Sequence, residues 1–185
     1  MRALKVIAVA LLIPLAAFAI HALCWRPYQC EMVKHAAQRD LFAIFNLPPT
    51  LRVITKARSR IGELQPCLAV SPTDIDLYMT VAGLDRVLGR LDHASEMYAK
   101  ALTYDRRPEL YLNLGLLQLE MNQRDQAFAN LIRACLFNMD FINEIPNLDD
   151  RAAVLAAVHA QQGRPSTPTV TPPAQPTVTP PRTQP

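Results

Sequence analysis

Glycine is scarce in this chain, with 5 in 185 residues. An all-β fold needs turn glycines, so so few, set among many Ala and Leu, argue against one. Charge is modest too. Charged residues make up 19%, and the net of +3 is too small by itself to imply a nucleic-acid ligand. The common catalytic patterns are missing: no Gly-rich phosphate loop, no G-x-S-x-G and no H-E-x-x-H. His21, His35, His93 and His159 are scattered, with no Cys or carboxylate at metal-ligand spacing. Asp149 and Asp150 read as a helix start rather than a catalytic dyad. The expectation is a non-enzyme that needs no metal or cofactor. Half of the residues are hydrophobic, which excludes a wholly disordered chain.

The two ends differ from the middle. Arg2 and Lys5 precede an uncharged run, 6–20, which extends to Cys24 if His21 is neutral. An export signal has an apolar core of about 7–15 residues and a membrane span needs about 17–25, so this run lies on the border. Trp25 and Tyr28 follow at its far edge, where aromatic rings favour the membrane interface. An uncleaved anchor over 4–24 is the favoured reading, and a cleaved signal with small residues at Ala17, Ala19 or Ala22 is the alternative. Leu23 before Cys24 departs from a lipid-acceptor pattern, which needs a small residue there. At the other end, residues 164–185 hold 8 of the 16 prolines and repeat PTVTPP at 168–173 and 176–181. Pro and Thr at this density bury too little apolar surface to offset ordering entropy. The tail is expected to be disordered, extended and polyproline-like, as a spacer, a glycosylated stalk, a Pro-rich ligand or a plain flexible tail.

The middle repeats. At an offset of 33, Tyr78 meets Tyr111, Val81 meets Leu114, Ala82 meets Gly115 and Gly89 meets Asn122. Ala94 then meets Ala127, Tyr98 meets Leu131, and Ala101 meets Ala134. Each match has a physical reason. A large and a small residue on one face let a second helix cross closely. Gly89 and Asn122 fall where the first helix stops, and both tolerate left-handed backbone. Asp92 and Asp125 are expected to cap the second helix by accepting its free amide hydrogens. The spacing predicts helices over 76–88, 92–103, 109–121 and 125–137, paired as two hairpins. Leu64, Cys67 and Pro72 lie 34 before Tyr98, Ala101 and Arg106. This suggests a degenerate hairpin at 31–73, with helices 31–47 and 51–70 on either side of Pro48-Pro49. A helix over 149–162 is expected to cap the last apolar face, in a region 141–163.

This pattern resembles the tetratricopeptide repeat over residues 74–140, though Asp85 and Gln118 stand where that family usually has a second aromatic. The resemblance implies an all-α, short helical-hairpin solenoid. It also implies that the first helix of each hairpin lines a concave groove for a protein or peptide ligand. Helical spacing then places Asp76, Met79, Gly83 and Arg86 on one groove face. Glu109, Leu112, Asn113, Leu116 and Glu120 lie on the matching face of the next helix. Some family members use an Asn at the position of Asn113 to hold a peptide backbone or carboxylate. The basic residue that precedes it in them is Leu112 here, so a carboxylate clamp is not expected.

Charge divides by region: +6 over 1–72, −6 over 73–150 and +3 over 151–185. Arg52, Lys56 and Arg60 share one helix face, either as a solvated stripe or as a contact for anionic headgroups. The acidic repeat favours a basic or neutral partner. Four cysteines permit three complete pairings, or none. Cys24–Cys30 closes a small loop. Cys67–Cys135 spans two repeats, beyond the Cα reach of a bridge. Cys30–Cys67 is favoured, because arms of similar length leave the Pro48-Pro49 turn and bring these ends together. The combined expectation is a single-pass inner-membrane protein with its domain in the periplasm, acting as an adaptor or assembly factor. It looks like the small repeat proteins that accompany pilus, secretion or surface-polysaccharide machinery. The alternatives are a secreted structural spacer and an accessory subunit of such machinery.

Overall fold

A computed structural model describes residues 13–45 and 47–163. Residues 4–12 of the expected anchor and the whole 164–185 tail lie outside the described residues. The protein is all-α, with no strand among the described residues. The backbone is helical over 13–20, opens into a π turn at His21–Trp25 and continues as α1, Arg26–Ile44. Pro27 gives a reason for the π turn. It has no N–H to donate, and its ring crowds the carbonyl four residues back, at Leu23, inside that turn. The side chains of Ile13, Leu15, Phe18, Ile20, Leu23 and Trp25 are exposed. Among the described residues, no helix is long and apolar enough to cross a membrane.

Six further helices follow: α2 (Leu51–Val70), α3 (Ile75–Val87), α4 (Leu91–Tyr104), α5 (Pro108–Glu120), α6 (Arg124–Phe137) and α7 (Leu148–Gln162). A 3₁₀ turn, Met139–Glu144, absent from the sequence expectation, separates α6 from α7. Each helix packs on its sequence neighbour, and α1 also packs on α3. Short links between packed helices make them antiparallel pairs.

Local chemistry sets the boundaries. The Thr50 hydroxyl accepts from Val53 N at the start of α2, and the Asp74 carboxylate accepts from Leu77 N at the start of α3. Pro108 opens α5, where its missing N–H costs nothing. Gly89 (φ 71°) and Asn122 (φ 58°) both take the left-handed conformation after α3 and α5. Asp92 and Asp125 do not cap. Their helices begin one residue earlier than expected, at Leu91 and Arg124, so both carboxylates lie inside the first turn. There they favour the helix only through its dipole.

Three apolar clusters run along the array. The first joins α1, α2 and α3 through Ala37, Ile44, Ala57, Leu64 and Val81. The second joins α3, α4 and α5 through Tyr78, Ala82, Ala94, Tyr98 and Leu110. The third joins α5 and α6 to α7 through Leu131, Ala134, Val154 and Val158. Ala94 and Ala127, the expected points of closest approach, are both fully buried. Gly115 shows why smallness matters: a Cβ there would lie 2.8 Å from Leu131 Cγ.

Candidate functional site

α1, α3 and α5 wall a trough of about 380 Å³. α1 contributes Gln38, Leu41, Phe42 and Phe45, and α3 contributes Asp76, Met79, Thr80 and Gly83. Both sets follow the spacing i, i+3, i+4, i+7, which is one stripe of a helix. Asn113 of α5 and Tyr98 of α4 complete the lining. Gly83 lets α1 approach closely, since a Cβ there would lie 2.6 Å from Leu41 Cδ2. A second hollow of about 390 Å³ continues past Phe45 to Leu47, Pro49, Arg86, Val87 and Glu120.

Two ion pairs flank the trough, one from Arg107 just before α5 to α3 and one between α3 and α5. At one end Arg107 donates to Asp76 Oδ1 at 2.8 Å and to Asp105 at 2.9 Å. Those bonds, that to Asp105 foremost, hold its guanidinium above its usual pKa. At the other end the Arg86 guanidinium pairs with Glu120 and lies 5.1 Å from the centre of the Phe45 ring. Tyr98 lies between, only 4% exposed. Burial, above all, pushes its phenol up to about 12, and no hydrogen bond contributes.

The expected groove residues divide. Asp76, Met79, Gly83 and Asn113 line the trough, and Arg86 and Glu120 line its extension. Glu109 is exposed. Leu112 and Leu116 do not line the trough. Leu112 is 7% exposed and belongs to the third cluster with Val154 and Val158, and Leu116 packs against that cluster. The segment from Met139 through α7 brings its own apolar side chains to this part of the array. Phe42, Phe45, Leu41 and Gln38 were missed, although their spacing in α1 marks the same stripe.

Polar contacts, each anchored on one buried side chain, join neighbouring helices. Asp85 is fully buried, with His93 Nδ1 2.5 Å from Oδ2. The Arg90 guanidinium pairs with Oδ1 out of hydrogen-bond alignment, balancing charge while that oxygen stays unbonded. One repeat later, Gln118 donates to Gln126 at 3.3 Å and accepts from Asn130 at 2.8 Å. So 85–93 and 118–126 form the same interhelical link at the same offset, charged in one copy and neutral in the other. Asp150 likewise pairs with Arg124, while Asn147 caps α7 by accepting from Asp149 N and Asp150 N.

The α1–α2 hairpin is cross-linked. Cys30 and Cys67 form a disulfide with Cα atoms 5.3 Å apart. Cys24 is an exposed thiol and Cys135 a buried one, whose pKa burial raises. Lys56 and Arg60 both pair with Asp40 at 2.7 Å, so two of the three cations in the basic stripe are balanced within the hairpin. Lys34 is 7% exposed and bonded to Asp74 at 2.8 Å and Glu31 at 2.9 Å. Burial opposes its charge, but those bonds outweigh it and raise its pKa. Among the described residues, no group of three His, Cys, Asp or Glu is placed to hold a metal ion. No known protein-family model matches the chain, and no functionally characterised protein matches it in sequence.

Proposed function

We propose that this chain is a non-catalytic adaptor or assembly factor of the bacterial cell envelope, built on tetratricopeptide-like hairpins and binding an extended protein segment in the α1–α3–α5 trough. The trough itself carries the reading. It is concave, its floor and one wall are apolar, and a few polar groups converge on it from Gln38, Asn113 and Tyr98. In this reading residues 4–24 anchor the chain in the inner membrane and the helical domain stands in the periplasm. Two observations favour that placement. The Cys30–Cys67 disulfide suits an oxidising compartment. The exposed apolar side chains between Ile13 and Trp25 suit a lipid-facing segment, and the Trp25 and Tyr28 rings lie 6.1 Å apart at its edge.

Site-specific photocrosslinking in intact cells tests this. A crosslinker at Met79 or Asn113 should give a discrete adduct, while one at Lys100 or Arg133, on the second helices, should not. Equal labelling at all four positions would defeat the groove reading.

A further inference from the structure

Phe42 is 88% exposed and Phe45, one turn on, is also exposed. Tyr98, 4% exposed, lines the same trough; its hydroxyl has no hydrogen-bond partner among the described residues and is not closed off from solvent. A site with open aromatic faces and a hydroxyl donor open to the trough is complementary to a particular kind of chain. Proline-rich segments bring ring faces that pack on aromatics, and carbonyl acceptors with few competing N–H groups. The trough offers the matching donors: the Tyr98 hydroxyl and the side-chain amides of Gln38 and Asn113.

Such a segment exists in this chain. Residues 164–185 contain 8 prolines, two copies of PTVTPP, two arginines (Arg164 and Arg182) and no acidic residue. The region 73–150, which supplies two walls of the trough, carries −6. Asp76 at its edge has only Oδ1 engaged, by Arg107. At about 3.1 Å per residue a polyproline chain of 22 residues spans roughly 68 Å. The longest helix of the array, α2 with 20 residues, is about 30 Å long.

We propose that the Pro/Thr-rich tail of the same chain occupies the α1–α3–α5 trough in the resting protein, laid over Phe42 and Phe45 with a carbonyl bonded to Tyr98. A free segment of this composition binds weakly. The tether supplies an effective concentration near the millimolar range, and two copies of the motif double the chance that one is seated. A partner entering the trough must displace the tail, so the tail sets a threshold for binding. The proposal rests on the reading of this trough as a peptide-binding surface, and it names the occupant present when no partner is.

The test uses the full chain in phospholipid nanodiscs, with Cys24→Ser and Val178→Cys carrying a nitroxide, and methyl-labelled methionine. The expected result is loss of the Met79 methyl signal, restored on reducing the nitroxide, with Met32 unchanged. Adding Phe42→Ala and Phe45→Ala, both at exposed side chains, should return the Met79 signal without reduction. An undiminished Met79 signal overturns the proposal. So does a loss that survives the double substitution, or one that appears only when nitroxide-bearing chains are mixed with separate methyl-labelled chains, which assigns the contact to a second copy. No partner enters this experiment. Groove crosslinks without tail contact sink the tail proposal alone, and tail contact without groove crosslinks sinks the adaptor reading alone.

Discussion

The α1–α2 and α5–α6 hairpins do the same structural job by different means. In α5–α6 the seam is close packing: Gly115 against Leu131 and the Ala127 carbonyl, with the neutral Gln118–Gln126–Asn130 link beside it. α4 packs on one side of this pair and α7 on the other. The α1–α2 pair has packing partners in α3 and the short π turn. It carries the disulfide and the Asp40–Lys56–Arg60 cluster. A hairpin flanked on both sides shares its apolar faces with two neighbours. One at the end of a stack shares fewer and relies on cross-links within itself.

The largest break in this comparison comes from the disulfide. Cys30→Ser with Cys67→Ser releases a loop with a sequence separation of 37. Chain entropy puts the cost at about 4 kcal/mol. Hydrogen exchange should show protection lost across α1 and α2, while α5 and α6 keep most of theirs. Uniform loss along the array would show a single cooperative unit and erase the distinction.

Packing sets the next effect. A methyl group at Gly115 meets Leu131 at Cγ, near the root of the side chain, and a backbone oxygen at 3.1 Å. Gly115→Ala should cost about 2 kcal/mol through overpacking. Gly83→Ala meets mainly the far end of Leu41, which turns aside, and should cost less. Urea midpoints rank the two, and the reverse order would mean that the α1–α3 contact, not the α5–α6 seam, is the tighter one.

These distinctions were unevenly legible in the amino-acid sequence. The α5–α6 seam showed itself because each of its residues has a counterpart 33 positions away, and a shared backbone geometry explains each match. The left-handed residues Gly89 and Asn122 were visible for the same reason. That Leu112 and Leu116 meet the third cluster was not legible, because helical spacing reports a face, not what lies against it, and that cluster draws on α7 some forty residues further on. Phe42 and Phe45 were overlooked because α1 lacks the small-residue marks of the repeat. Lys34 gave no warning, since its partner Asp74 is 40 positions away. A charge buried by a distant partner leaves no local pattern.

The smallest effect separates the hairpins by pH. The Asp40 carboxyl is held below its ordinary value of 3.8, chiefly by the Lys56 hydrogen bond and then by Arg60, against the cost of burial. Its stabilising contribution is therefore present above the unfolded value and lost as pH falls through the folded one. Lys34 behaves in the opposite sense. Its pKa is raised above 10.5, so its contribution is full below that value and lost as pH rises through the folded one. Each pair is partly open to water, so about 0.5 kcal/mol is at stake in the Asp40 cluster. Local opening measured by hydrogen exchange in α2 should become easier on going from neutral pH to below the folded pKa of Asp40. Asp40→Asn should flatten that response. The Gln118–Gln126–Asn130 link has no group that titrates, while Glu120 of α5 and Asp150 beside α6 carry ion pairs of their own, so an acid response in α2 that Asp40→Asn leaves unchanged is the result that would place the sensitivity outside Asp40 and remove the ionic half of the contrast.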